Sequence, residues 1–189
     1  MSAILPAAEE NSGDLWVFGY GSLMWRPGFD FVERVAGHLV GEHRSLCVYS
    51  FVHRGTPEHP GLVLGLDHGG SCDGIAFRVA AKNRISTITY LREREQVTSV
   101  YHEVMRPVLL ESGDQTVNAL TYVADRDHVQ YAGLLSKTEQ LSHVLQGQGK
   151  SGSNRDYVLS TVKAIEAEGF HDEDLHQLML ALSSEPPGA

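Results

Sequence analysis

Apolar and polar positions follow two distinct periods along this chain, and the switches between them mark its elements. Trp16, Val17 and Phe18 form an apolar run with the length and aromatic/β-branched character of a buried strand, which breaks abruptly into Gly19, Tyr20, Gly21 and Ser22. Pro27 and Gly28 give a further loop signal before Phe29–Val35. His38–Val52, carrying Leu39, Leu46, Val48, Tyr49 and Phe51, reads as one or two strands. The polar stretch His53–Gly61 is a loop with two prolines and two glycines. Beyond it, Leu62–Leu66 and Gly74–Val79 flank HGGSCD in the form of a β-hairpin around a glycine turn.

From Lys82 to about Thr98 the period lengthens. Ile85, Ile88, Leu91 and Glu95 stand three, three and four residues apart, one face of a helix, while Glu93 points to the opposite side. Two strands follow, Tyr101–Leu110 and Thr116–Ala124, separated by the turn-rich Glu111–Gln115. Helical spacing returns in Leu134, Leu141 and Leu145, with Thr138 as an internal start. Ser153, three residues before Asp156, has the form of an N-cap for a helix bearing Val158, Val162 and Ile165 and ending near Gly169. A last helix starts near Asp172 and presents Leu175, Leu178 and Leu182. Residues 1–14 have no periodic apolar face and read as a flexible N-terminal tail, residues 184–189 as a C-terminal tail, and 15–183 as a single α+β domain without internal repeats.

Composition narrows the function classes. The 189 residues suffice for a real hydrophobic core, and 42% hydrophobic with 21% charged residues excludes disorder. A formal charge of −9 disfavours nucleic acid or an anionic membrane surface as partner, since both would repel the chain on average. The start lacks the basic and long apolar regions of a secretory signal, and no run of about 18 apolar residues offers a membrane span, so a cytoplasmic location is expected. Cys47 and Cys72 have no metal-type spacing and read as small core residues. Ten histidines are present without HExxH or similar ligand spacing, so no catalytic metal and no cofactor are expected. The glycine-rich GQGKSG at 147–152 lacks the GxxxxGK[ST] pattern and follows no strand, which removes it as a phosphate loop.

Four places remain where chemistry can reside, each with a plain structural alternative. Glycines at 19 and 21 let the main chain turn so that successive N–H groups converge on an anion or a polarised carbonyl; equally, they end a strand in a tight turn. Glu95 falls on the apolar stripe of its helix, where burial disfavours the charged form and raises the pKa into a range useful for proton transfer; equally, it is a structural partner of Arg92 or Arg94. Arg54, beside a glycine, can bind a carboxylate through its planar fork or sit in a mere connector, and Tyr101 can reach a polar ligand group or cap a hydrophobic edge.

Several pieces jointly resemble one family, the ChaC-type γ-glutamylcyclotransferases, which act on glutathione. They are WVFGYGSLMWRPGF at 16–29, HRGTPEHPGLVLGL at 53–66, CDGIAFRV at 72–79, YLREREQVTSVY at 90–101 and SGSNRDYV at 151–158, in that order over about residues 16–180. The resemblance implies a γ-glutamylcyclotransferase-like fold, a small mixed or antiparallel β-barrel with flanking helices. It implies cleavage of glutathione, or a related γ-glutamyl compound, to 5-oxoproline. It places the family's proton-transfer glutamate on Glu95 and its substrate-holding loop on Tyr20, Gly21, Ser22 and Leu23, with Gly19 and Met24 beside it. Gln96 and Val97 stand where many animal members have lysine and glycine, and the VTxxY form is similar to the bacterial branch. Other γ-glutamyl amino acids or amines as substrates, and a non-catalytic binding module, are the rival readings.

Overall fold

The computed structural model describes residues 13–95, 99–111, 113 and 115–186. Five strands close a barrel: β1 (Leu15–Gly19), β2 (Glu33–Ser50), β3 (Gly61–Val79), β4 (Tyr101–Leu110) and β5 (Thr116–Ala124), in the order β1-β3-β2-β4-β5. The sheet is mixed. β1 runs antiparallel to β3, with Leu15 opposite Val79 and Gly19 opposite Ile75, and parallel to β5, with Val17 opposite Leu120. β2 and β4 are antiparallel. With four α-helices, α1 (Arg84–Glu95), α2 (Lys137–Gln146), α3 (Asn154–Ala167) and α4 (Glu173–Ser184), the class is α+β with a small barrel, as the resemblance implied.

The expected hairpin at HGGSCD is replaced by a single strand of 19 residues, β3. Gly69 and Gly70 do adopt positive φ (99° and 69°), but they bend one long strand instead of reversing the chain. β2 uses the same device at Gly41, φ 105°. Before Gly41 the buried positions are residues 37 and 39; after it they are 42, 44, 46, 47, 48 and 50, so the buried side shifts from odd to mainly even positions across one left-handed residue.

The chain divides into two compact units. The first comprises the residues up to His43 together with His68–Val123, the second Arg44–Asp67 with the residues from Ala124 onward, so β2 and β3 contribute to both. In the first unit Leu15, Val17, Leu23, Val79, Ile88, Leu91, Leu120 and Tyr122 form one buried cluster, with Phe29, Tyr90, Tyr101 and Met105 packed against it. Ile85 departs from the expected stripe: it is 60% exposed, and Arg84 and Thr87 take the buried positions on that side of α1. Arg84 does so because its guanidinium reaches the carbonyl oxygens of Gly13 and Asp14. Asp14 also accepts from the Ala81 N–H and pairs with Arg78, so the last two residues of the expected tail are fixed in place; the rest of it lies outside the described residues.

In the second unit α2, α3 and α4 pack pairwise on one another. α2 begins at an N-cap Ser136 closed by a reciprocal capping box with Glu139, not at Thr138, and Val144 supplies its buried residue while Leu134 and Leu145 are exposed. α3 and α4 follow the expected caps, Ser153 accepting from the Asp156 N–H and Asp172 from the Leu175 N–H, and bury Val158, Val162 and Ile165, and Leu175, Leu178 and Leu182. Ser153→Ala removes the side-chain acceptor that caps the start of α3. It is expected to cost about 1 kcal/mol and lower the thermal midpoint by roughly 2–4 °C in a calorimetric or circular-dichroism melt. Residues 148–153 form a two-stranded ribbon, β6 (Gln148–Gly149) and β7 (Gly152–Ser153), that leads into α3. The start of α3 is held by Asn154, fully buried, whose Oδ1 accepts from the Leu62 N–H and whose Nδ2 donates to the Leu62 carbonyl.

Both cysteines are buried, as expected for core residues, and neither is in a disulfide; burial pushes the Cys47 thiol up to about 12. No helix among the described residues is long and apolar enough to cross a membrane.

Candidate active site

The end of β1 and the last turn of α1 build the site, both within the first unit. After Gly19 the chain turns through Tyr20 and Gly21 into a short 3₁₀ turn, Ser22–Met24, closed by Met24 N–H to Gly21 O (2.9 Å) and Arg26 N–H to Ser22 O (2.8 Å). Glycine is required at 19 by space: a Cβ there would lie 2.9 Å from the Leu23 Cβ, because the turn folds back onto the strand it has just left. Gly74 on the neighbouring β3 is small for the same reason, since a Cβ would come within 2.4 Å of the Gly19 carbonyl oxygen. Gly21 stands at the N-cap of the 3₁₀ turn and has no side chain to cap its first N–H groups.

Leu23 and Met24 are buried, and Leu23 belongs to the core cluster. Their side chains anchor the turn in the core. Tyr20 is 8% exposed and buried with them.

Glu95 ends α1 with its side chain 20% exposed. Burial raises its pKa above the usual glutamate value, opposed by the charge and hydrogen bond of Arg94, whose Nε lies 3.1 Å from Oε1. The two sequence readings of Glu95 therefore coexist: it is ion-paired, and desolvation still outweighs the pair.

Arg94 does more than neutralise. Its Nη2 donates to Ser22 Oγ (2.7 Å) and its Nη1 to the Arg26 carbonyl (2.6 Å) and Tyr90 Oη (3.0 Å). One guanidinium thus fastens the glycine turn to the helix end that carries Glu95. Sequence reasoning named Arg94 only as a neighbour of Glu95; its contact with Ser22 spans 72 positions and leaves no local signal.

A second polar group lies nearby. Glu103 on β4 receives Arg92 through two bonds (2.9 and 2.8 Å) and the Tyr122 hydroxyl (3.1 Å). The Tyr122 hydroxyl is pushed far up by burial first, then by Glu103, with the Glu95 carboxylate adding to the effect, which ties Tyr122 electrostatically to Glu95. Tyr101 is half-buried against the core cluster, consistent with its edge-capping alternative. Gln96 and Val97 lie outside the described residues.

Arg54 belongs to the second unit. Its Nη1 donates to the carbonyl oxygens of Ser151 (2.7 Å) and Ser153 (3.4 Å), and its guanidinium lies over the Tyr157 ring. These contacts support the connector alternative, in which Arg54 holds β6–β7 against its loop.

The family described as ChaC-like protein matches residues 15–185. The glutathione-specific gamma-glutamylcyclotransferase of Escherichia coli (strain K12) is 32% identical over 176 residues, 93% of this chain and 76% of that protein. Glutathione-specific gamma-glutamylcyclotransferase 1 of Homo sapiens is 32% identical over 179 residues, 90% of this chain and 81% of that protein. Among solved structures, a selenomethionine-labelled γ-glutamyl cyclotransferase specific to glutathione from yeast superposes with a TM-score of 0.78 at 21% identity, covering 90% of this chain and 96% of that one.

Proposed function

The chain belongs to the ChaC-like family, and we propose that it cleaves glutathione into 5-oxoproline and cysteinylglycine as a glutathione-specific γ-glutamylcyclotransferase. The observation that carries the reading is the pairing of a largely buried, proton-favouring Glu95 with a glycine turn bolted to it through Arg94. We read 15–183 as one functional domain, since the family match spans 15–185, and we place the enzyme in the cytoplasm with a small molecule as its partner.

The chemistry needs no protein nucleophile. The substrate's α-amino nitrogen attacks its own γ-carbonyl carbon, the new C–N bond closes a five-membered ring, and the old amide C–N bond breaks. The α-ammonium sheds two protons, one before attack and one from the ring nitrogen as the lactam forms, while the departing cysteinyl nitrogen gains one to leave as an amine and a second to become an ammonium. Glu95 takes the first as carboxylate and returns it to the leaving nitrogen as carboxylic acid, after which the ring nitrogen's proton goes to the released amine; the cycle is favoured when the Glu95 pKa lies above the ordinary glutamate range. Nothing is consumed from solvent.

Ring closure demands a folded glutamyl chain, and well-oriented intramolecular reactions gain roughly 7–11 kcal/mol from positioning. The turn at Gly19–Met24 supplies that: the main-chain N–H groups of Gly21, Ser22 and Leu23 face the glutamyl carboxylate or the oxyanion that develops on the γ-carbonyl, while Tyr20 and Ser22 fix the chain between them.

The test is product formation. Purified protein incubated with glutathione is expected to release 5-oxoproline, with kcat/KM at least about tenfold above that for a γ-glutamyl amino acid. Equal rates would keep the cyclotransfer and remove the glutathione specificity; no 5-oxoproline from either would leave a binding module.

A further inference from the structure

Among the described residues, and outside the site just described, one cluster of ligating side chains stands apart. Glu166 near the end of α3, His171 in the link between helices, and His176 in the second turn of α4 each bring one ligand atom within 4.8 Å of the others. None belongs to the elements that carry Glu95 or the glycine turn. We propose that Glu166, His171 and His176 form a binding site for one divalent transition-metal ion, Zn²⁺ in first place, that clips α3 to α4.

The donor set is the first argument. Two imidazoles and one carboxylate suit Zn²⁺, whose protein sites combine His nitrogen with Asp or Glu oxygen at about 2.0–2.2 Å, whereas Ca²⁺ and Mg²⁺ prefer oxygens alone. A tetrahedral centre with such bonds needs ligand atoms about 3.4 Å apart. The cluster is already close to that: His176 Nδ1 is 2.7 Å from Glu166 Oε1, and the two imidazole rings are 5.1 Å apart. The side chains of Glu166, His171 and His176 are 35%, 57% and 31% exposed, so they can shift by the ångström that separates the present arrangement from a coordinated one, and an ion can enter from solvent.

Support around the ligands is the second argument. Glu173 holds the His171 ring through Nε2 (2.9 Å), and its other oxygen accepts from Gln177 Nε2 (2.8 Å). A carboxylate bonded to one ring nitrogen fixes the ring and makes the other nitrogen a better ligand. Asp172, the residue between, is occupied as the N-cap of α4 and as partner of Arg44, so it keeps the link in place without competing for the ion. Glu166, Glu168 and Glu173 add negative charge that attracts a cation, while Asp172 and Asp174 are paired with Arg44 and Lys137.

Spacing explains why no motif marks the cluster. Glu166, His171 and His176 recur every five residues, which fits neither a helix face nor a metalloprotease motif; the turn after Gly169 (φ 89°) brings them together. Because the ion would join two helices, it adds stability to the folded chain and leaves turnover alone.

Zn²⁺ titrated into tag-free, metal-stripped full-length protein, followed by calorimetry and by competition with a chromophoric chelator, is expected to bind at one equivalent in the micromolar range or tighter and to raise the thermal midpoint. His171→Asn and His176→Gln should each weaken binding by about 10- to 100-fold, and the double variant should abolish the one-equivalent site. Glu166→Gln, which disturbs packing least, should weaken it as well, with the circular-dichroism spectrum unchanged. Mg²⁺ should not substitute. Absence of Zn²⁺ binding at about 100 μM, or binding that persists in the folded double variant, would overturn the assignment.

Discussion

Glu95→Gln is expected to lower kcat toward glutathione by roughly 10²–10⁴-fold, the usual contribution of a positioned general acid–base group, while KM changes little. Gln fills the same volume and can still accept a hydrogen bond from Arg94, so the turn stays fastened; what it cannot do is take a proton from an ammonium group. Stability should move the other way. Burial raises the folded-state pKa of Glu95, so its contribution to stability is fully present below the ordinary glutamate value and is lost as pH rises through the raised one. At neutral pH the wild-type chain therefore carries a buried charge that the Gln variant lacks, and the variant should melt at a higher temperature. The difference should shrink as the pH falls below the ordinary glutamate value, where Glu95 is protonated in both states. A variant that loses turnover and also loses stability would point to a structural role for Glu95.

Arg94→Gln should have the second largest effect, and its signature is compound. Loss of the bonds to Ser22 Oγ and the Arg26 carbonyl releases the glycine turn, so kcat/KM should fall by about 10- to 100-fold, with a rise in KM. The pH profile separates this from general damage. Turnover needs ionised Glu95, so the rate falls on the acid side as pH drops through the Glu95 pKa. Arg94 holds that pKa down against burial. Removing the guanidinium must therefore move the acid limb to higher pH. Arg94→Lys keeps a charge near Glu95 but cannot reach Ser22, Arg26 and Tyr90 together, so it should restore the acid limb more than the KM. An acid limb that stays in place in Arg94→Gln would show that Arg94 does not act on Glu95.

Much of this was readable from the chain alone, for reasons that also mark where reading fails. β4 and β5 have the expected bounds because turn residues stand at both ends of each apolar stretch, and α3 and α4 start where Ser153 and Asp172 can cap them. Glu95 was visible because a carboxylate on an apolar stripe breaks the pattern. Gly69 and Gly70 misled because a positive φ serves a hairpin turn and a strand bulge equally, and only the partner strands decide between them. Ile85 misled because Arg84 and Thr87 take the buried side of α1, Arg84 by finding carbonyl partners at the chain's beginning, which hydropathy cannot register. The link from Arg94 to Ser22 was hidden for a related reason: it exists only once β1 and α1 lie side by side in the first unit.

In the proposed reaction the substrate's own amine, and not water, attacks the γ-carbonyl. Turnover of glutathione in water enriched with heavy oxygen, with the products weighed by mass spectrometry, separates the two. Cysteinylglycine and 5-oxoproline are expected in equal amounts, with no heavy oxygen in the newly formed ring. Glutamate as the product, or a heavy-oxygen label acquired at its γ-carboxyl, would mean hydrolysis and would contradict the proposed reaction.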